Sequence, residues 1–153
     1  MTLDSATDAG IFARSFDDFV VEIGVASGRV VGVSFPDAVP DDAATDHALL
    51  ERVAAYLDGE EDHFDDVQVA LTVPTAQRSV LEATRNVPYG ETVSVERLAR
   101  LAGLDPEDDD DRRTVETALR ENPVPLFVPD HRVEGPGATP PTVARLLRAI
   151  ESS

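Results

Sequence analysis

The feature that most constrains this chain is a proline-punctuated apolar segment at residues 122–133. It reads Asn-Pro-Val-Pro-Leu-Phe-Val-Pro-Asp-His-Arg-Val, so three polar side chains follow directly on an apolar run. A helix is predicted behind it, because Thr139 precedes Pro140 and Pro141 and prolines suit a helix's first turn. One face of that helix is formed by Val143, Leu146, Leu147 and Ile150. The C-terminal part is therefore predicted to set polar residues beside an amphipathic helix.

The first half of the chain favours strands. From residue 11 onward, β-branched and aromatic residues recur, and residues 26–29 (Ala-Ser-Gly-Arg) suit a hairpin turn. Residues 1–10 are small and polar, and we expect them to be frayed. The predicted elements of this half are strands at 19–25 and 30–35, a helix at 46–57 and a weakly alternating strand at 67–71.

The second half favours helices. Thr75 and Ser94 are suitable N-caps, Gly103 suits a helix end, and residues 87–90 (Val-Pro-Tyr-Gly) interrupt the pattern. The predicted helices lie at 75–86, 95–101 and 106–121, before the C-terminal helix. Two short helices around a glycine-containing turn suggest a helix-turn-helix, although such pairs are often only core packing.

The composition predicts an acidic surface and excludes chemistry that depends on cysteine. The net charge is −17, the 13 basic residues are all arginine, and the chain has no cysteine. Such a surface is typical of a salt-loaded cytoplasm, such as that of a haloarchaeon, because at ~1 M salt the Debye length falls to about 3 Å. It opposes tight binding to phosphates. Disulfides and thiolate metal sites are excluded. We expect a cytoplasmic protein, since no apolar run is long enough to span a bilayer.

Three segments together resemble the O6-alkylguanine-DNA alkyltransferases. Residues 75–81, residues 88–94 (Pro-Tyr-Gly-Glu-Thr-Val-Ser) and residues 122–133 match the family's motifs. Those proteins repair DNA by moving an alkyl group from a guanine oxygen onto their own cysteine. The resemblance implies an α+β fold. It places a ribonuclease-H-like, β-rich subdomain at residues 1–73 and a winged helix-turn-helix subdomain at residues 74–153.

The family's reactive motif is Pro-Cys-His-Arg-Val, and here Asp130 occupies the cysteine position. In the family, the neighbouring histidine activates the cysteine through water and a glutamate orients that histidine. The resemblance assigns these roles to His131 and Glu151, and it assigns the asparagine of the active-site turn to Asn122. A carboxylate accepts alkyl groups poorly beside a thiolate, so we expect Asp130 to serve instead as an acceptor that holds the turn.

The DNA-reading positions are partly retained. The resemblance places the family's arginine finger at Arg113, and Arg112 and Arg132 are further candidates for contact with DNA. Val95 stands in place of a base-rotating tyrosine, and Glu116 in place of a glycine of the recognition helix. The family's Gly- and Tyr-containing substrate loop is replaced by Glu-Gly-Pro-Gly-Ala at 134–138, and an acidic run at 107–111 precedes the arginines.

Three functions are compatible with these residues. The first is an alkyltransferase-like repair protein that recognises alkylated guanine in double-stranded DNA and passes the lesion to repair proteins. The second is a non-enzymatic interaction or regulatory module that kept the fold and lost DNA binding. The third is an enzyme that uses Asp130 and His131 as an acid/base pair. We expect a monomer that needs no cofactor, and the sequence offers no metal-ligand set.

Overall fold

The computed structural model describes residues 9–152, and its elements fall into two successive groups. The first group consists of β1 (Gly10–Ser15), β2 (Val20–Ala26), β3 (Arg29–Ser34) and α1 (Ala48–Leu57). The second consists of α2 (Thr75–Arg85), α3 (Val95–Leu101), α4 (Asp109–Arg120), a 3-10 turn (Asp130–Arg132) and α5 (Pro141–Glu151). The predicted α+β class is confirmed, whereas the division at residues 73 and 74 stays a prediction.

The three strands form one antiparallel sheet in the order β1-β2-β3. Val21, Ile23 and Val25 alternate along β2 and are buried, as expected for a sheet with one face on the core. The predicted turn joins β2 to β3: Ser27 has φ 54° and Gly28 has φ 73°. Two successive positive φ values match the right-handed twist of a tight hairpin.

The predicted strand at 67–71 is wrong as an extended element. Only Val69 forms a bridge, with Val30, through bonds from Val30 N to Gln68 O and from Ala70 N to Val30 O, each 2.9 Å long. The Leu71 carbonyl accepts instead from the guanidinium of Arg78. The chain therefore leaves the sheet toward α2. The expectation for residues 1–10 lies largely outside the described residues, although Gly10 already belongs to β1.

The helix starts follow local capping chemistry. Ser94 caps α3, as predicted, because its Oγ accepts from Arg97 N at 3.1 Å. The side chain of Asp108 caps α4, which begins three residues later than the predicted 106. The predicted Thr75 cap is wrong: Pro74 holds the N-cap position of α2 and makes no side-chain cap bond. His47 caps α1, so that helix begins at 48 rather than 46.

A continuous apolar core joins the two groups. Phe64 contacts both Tyr56 of α1 and Phe127 of the 122–133 segment, with ring-centroid distances of 5.5 and 5.2 Å. Val33 N of β3 also donates to Pro123 O at 2.9 Å. The segment is therefore inside the core, and its polar end is held where both groups meet.

Ser94→Ala should lower the free energy of unfolding by about 1 kcal/mol, because it removes the side-chain acceptor at the start of α3. Thr75→Ala should cost less, because Thr75 provides no cap bond to α2. Urea denaturation of the two variants in the same concentrated KCl buffer provides the comparison. An equal or larger loss in Thr75→Ala would contradict the assigned helix starts.

Candidate functional site

The 3-10 turn at Asp130–Arg132 presents three polar side chains inside the protein. All three residues are buried, at 2–5% exposure. The end of the turn is fixed by Val93, whose N donates to Arg132 O and whose O accepts from Glu134 N, both at 2.9 Å. Buried polar groups need partners, so the contacts of this turn define what the site can do.

Asp130 is held as a hydrogen-bond acceptor from three directions. Asn122 Nδ2 donates to Asp130 Oδ2 at 2.9 Å, and Ala138 N donates to the same oxygen at 3.2 Å. Thr139 N donates to Asp130 Oδ1 at 3.3 Å. Asn122 also donates to Val128 O at 2.9 Å, which fixes its amide. The carboxylate therefore ties the turn to the following loop, which is the acceptor role expected for it.

The loop comes unusually close to this carboxyl group. A Cβ placed on Gly137 would lie 2.9 Å from Asp130 Cγ, a distance that real side chains do not tolerate. Gly137 thus permits the backbone to approach where any other residue would collide. The loop backbone covers the side chain that occupies the cysteine position of the resembled motif.

Burial raises the pKa of Asp130 above its ordinary value, although hydrogen bonds from Thr139 and Asn122 favour the charged form. The three donors therefore do not fully offset the loss of water around the carboxylate. Hydrogen bonds to both oxygens also lower the nucleophilicity of the carboxylate, because they stabilise its negative charge.

A second carboxylate, that of Glu151 at the end of α5, is the centre of the site. Glu151 Oε2 lies 2.8 Å from His131 Nε2 and accepts from Tyr56 Oη at 2.5 Å. Arg132 binds both oxygens, with Nε to Oε1 and Nη2 to Oε2 at 2.9 Å each. Gly90 N donates to Oε1 at 3.3 Å. One carboxylate therefore joins α1, the turn before α3, the 3-10 turn and α5.

These donors determine the charge of the cluster. Burial alone would raise the pKa of Glu151, but hydrogen bonds from His131 and Arg132 outweigh it and hold that pKa well below its usual range. Burial and the neighbouring Glu151 charge raise the pKa of Tyr56, so its hydroxyl remains a donor. Because Glu151 is an acceptor, His131 carries hydrogen on Nε2. Its Nδ1 is buried and has no partner within the part of the chain that the structure describes.

The structure brings together four of the predicted site residues, Asn122, Asp130, His131 and Glu151. The contact of Arg132 with DNA stays a prediction, because the guanidinium is bound inside the protein in this structure. Arg132 is only 5% exposed, since its guanidinium is bound to Glu151 and to Val87 O at 2.8 Å. A cation that neutralises a buried carboxylate is not free to bind phosphate.

The other predicted DNA-contacting residues lie on or near the helix pair α3 and α4. Arg113 is exposed, with 73% of its side-chain surface accessible, and it pairs with Asp110 at 3.3 Å. Arg112 pairs with Glu96 at 3.2 Å. Val95 lies against the 134–138 loop, 3.9 Å from a Cβ placed on Gly135, and Glu116 is half-buried on α4. Acidic partners thus accompany both arginines.

Sequence reasoning missed Tyr56, Gly137 and Thr139 as parts of this site. The sequence does contain a signal for a tight turn at Gly137, because two glycines flank a proline at 135–137. The sequence contains no such signal for Tyr56, since Tyr56 and Glu151 are 95 positions apart in the chain. Among residues 9–152, no cluster of His, Asp or Glu is arranged to hold a metal ion.

Sequence comparisons connect this site to known proteins. A family described as 6-O-methylguanine DNA methyltransferase, DNA binding domain, matches residues 75–141. A DNA base-flipping protein of Thermus thermophilus is 38% identical over 106 residues, which cover 69% of this chain and 68% of that protein. A methylated-DNA--protein-cysteine methyltransferase of Methanopyrus kandleri is 37% identical over 87 residues, 57% of this chain and 62% of that protein. The protein of the same name from Metallosphaera sedula is matched over 51% of its length, at 32% identity.

Solved structures share the fold along nearly the whole chain. Mycobacterium tuberculosis O6-methylguanine methyltransferase covers 94% of this chain with a TM-score of 0.76 and 22% identity, and 92% of that chain is covered. The structure of Mycobacterium tuberculosis OGT in complex with DNA covers 93% of this chain and is itself covered over 92%, with a TM-score of 0.75 and 23% identity. At these identities the likeness establishes the fold alone.

Glu151→Gln keeps the size of the side chain and removes its charge. We expect the free energy of unfolding to fall by about 3 kcal/mol near neutral pH, because Arg132 is then left buried without its anion. Since the pKa of Glu151 is held below its ordinary 4.5, the charge contributes fully above that value. The contribution is lost as the pH falls below it, so the two proteins should converge in acid. Urea denaturation over a pH series at constant KCl measures the difference.

Glu82→Gln is the matched control, because Glu82 is exposed on α2. It should leave the stability of the protein nearly unchanged at every pH. A deficit of Glu151→Gln that stayed constant from neutral pH to well below 4.5 would contradict the assigned role of the Glu151 charge.

Proposed function

The chain belongs to the O6-methylguanine DNA methyltransferase family, and we propose that it recognises alkylated guanine in double-stranded DNA without transferring the alkyl group. It would act in DNA repair as a lesion-binding protein that passes the damaged site to repair proteins. We expect the protein to act as a monomer and without a cofactor.

The observation that carries the proposal is the state of Asp130. The family's motif has its reactive cysteine at this position, and here a carboxylate accepts hydrogen bonds from Asn122, Ala138 and Thr139. The chain has no cysteine elsewhere to replace it. A nucleophile requires a free, activated lone pair. The site therefore keeps the surrounding fold of an alkyl-transfer centre but lacks a residue that could accept the alkyl group effectively.

The retained polar cluster supports recognition over complete loss of function. His131 and Glu151 keep the contact that the family uses to orient its histidine, although no thiol remains for them to activate. Arg113 lies exposed on α4, where the family places the residue that fills the gap left by a flipped base. The similarity to a protein named for base flipping agrees with this interpretation.

The alternative, an interaction module that has lost DNA, is favoured by the charges of α4. Asp109, Asp110 and Asp111 occupy its first turn, and Arg113 pairs with one of them. Acids in this position stabilise the helix dipole but repel phosphate. DNA binding by this chain would therefore require Arg113 to exchange its acidic partner for the nucleic acid.

The acidic surface leads us to infer a salt-rich cytoplasm, such as that of a haloarchaeon, as the working environment. The net charge of −17 without lysine is the basis of this inference. Within residues 9–152, no helix is long and apolar enough to cross a membrane.

Duplexes that differ only in one O6-methylguanine test the function directly. We expect the wild-type protein to prefer the lesion, and Arg113→Ala to reduce that affinity by about tenfold or more, because the residue that stabilises the flipped state is gone. Arg145→Ala is the control, since Arg145 is exposed on α5 rather than on α4. Fluorescence anisotropy across a KCl series provides the dissociation constants.

Two results would decide against lesion recognition, and a third would decide against the role of Arg113. Equal affinity for both duplexes would leave only non-specific binding. No binding at the lowest KCl concentration that keeps the protein folded would favour the interaction module. Loss of affinity in Arg145→Ala as large as in Arg113→Ala would show that general charge, rather than the arginine finger, determines binding.

A further inference from the structure

The loop at residues 135–139 is attached on two sides. Ala138 N donates to Leu119 O of α4 at 2.9 Å and also to Asp130 Oδ2 at 3.2 Å. Thr139 N donates to Asp130 Oδ1 at 3.3 Å. We call this loop the lid. It connects α4 to Asp130, the residue at the cysteine position of the family's motif.

The lid leaves no room for a base at Asp130. A Cβ on Gly137 would lie 2.9 Å from Asp130 Cγ, and Asp130 is only 3% exposed. An aromatic ring placed between two surfaces needs about 3.5 Å on each side for carbon contacts. The lid and the carboxyl group must therefore separate by several ångströms before a flipped guanine reaches this position.

We propose that Asp130 is a latch that holds the lid closed in the free protein, and that an alkylated guanine enters the site only after this latch opens. This inference rests on the proposed lesion recognition and specifies how the site is regulated. The family's cysteine forms a bond to the alkyl group, whereas Asp130 at the same position would control access to the site.

The hydrogen bonds of the latch are suited to opening. Asn122 Nδ2 keeps Val128 O, and Ala138 N keeps Leu119 O, when Asp130 is released. Only Thr139 N loses its single described acceptor. Burial of the carboxylate is also incompletely offset by its donors. Opening therefore exposes few unsatisfied groups, while it returns a buried anion to water.

The attachment to Leu119 gives the latch a connection to DNA. Leu119 lies in the last turn of α4, and the same helix carries Arg113. Displacement of α4 by bound DNA would pull on Ala138 through its backbone bond. The lid would then respond to DNA at α4 as well as to the base itself.

Two variants break the latch from opposite sides. Asp130→Asn keeps the shape but places an NH2 group against a donor in either orientation, because both oxygens of Asp130 accept. Gly137→Ala introduces a methyl group 2.9 Å from Asp130 Cγ. The matched controls are Asp37→Asn, in an exposed loop, and Gly32→Ala, whose new methyl group would meet its nearest atom at 3.9 Å.

Both measurements use the full chain in concentrated KCl. Amide hydrogen exchange of Thr139, followed by NMR, reports on the latch itself. Anisotropy with the O6-methylguanine duplex reports on access. We expect Asp130→Asn and Gly137→Ala to accelerate Thr139 exchange and to bind the lesion roughly tenfold more tightly, because the cost of opening is removed. The controls should match the wild-type protein in both.

Each of the other outcomes would overturn the latch, its control of access to the site, or the recognition function. Unchanged Thr139 exchange in both variants would show that Asp130 does not hold the lid. Faster exchange with wild-type lesion affinity would show that the lid does not control access. If no protein, including the wild type, prefers the lesion, the recognition function fails, and the gating role fails with it even where Thr139 exchange responds.

Discussion

The Glu151 carboxylate is the interaction on which the arrangement of this protein depends. It is buried at the junction of α1, α5 and the 3-10 turn, and it accepts from Tyr56, Arg132 and His131. A carboxylate in such a place is tolerated only when charged and polar donors surround it. Each donor comes from a different part of the chain or a different position of the turn. This anion therefore fixes two of the three side chains of the turn, those of His131 and Arg132.

Asp130 introduces a second buried carboxylate one residue before His131, and the two anions have opposite characters. Hydrogen bonds from His131 and Arg132 depress the pKa of Glu151. Burial raises the pKa of Asp130, whose donors among the described residues are one side-chain amide and two backbone N–H groups. The first carboxylate is a permanent structural centre. The second is held less firmly, which makes the lid the part of the site best suited to move.

The sequence predicted the parts that depend on local pattern. The hairpin at Ser27 and Gly28 and the Ser94 cap follow from turn and capping chemistry, whereas the α+β class was expected from the family resemblance. The burial of Arg132 was not predicted, because burial depends on distant partners. Tyr56 was missed for the same reason. The close approach of Gly137 to Asp130 depends on the tertiary structure and was not predicted, since a glycine in a loop has many explanations.

The most direct test of recognition without transfer is the NMR signal of a ¹³C-labelled O6-methyl group in duplex DNA. On addition of the wild-type protein, the signal should shift or broaden as the base enters the site, and all of its intensity should remain on guanine. An unperturbed signal would contradict recognition. A new methyl signal on the protein would contradict the claim that Asp130 ended the chemistry.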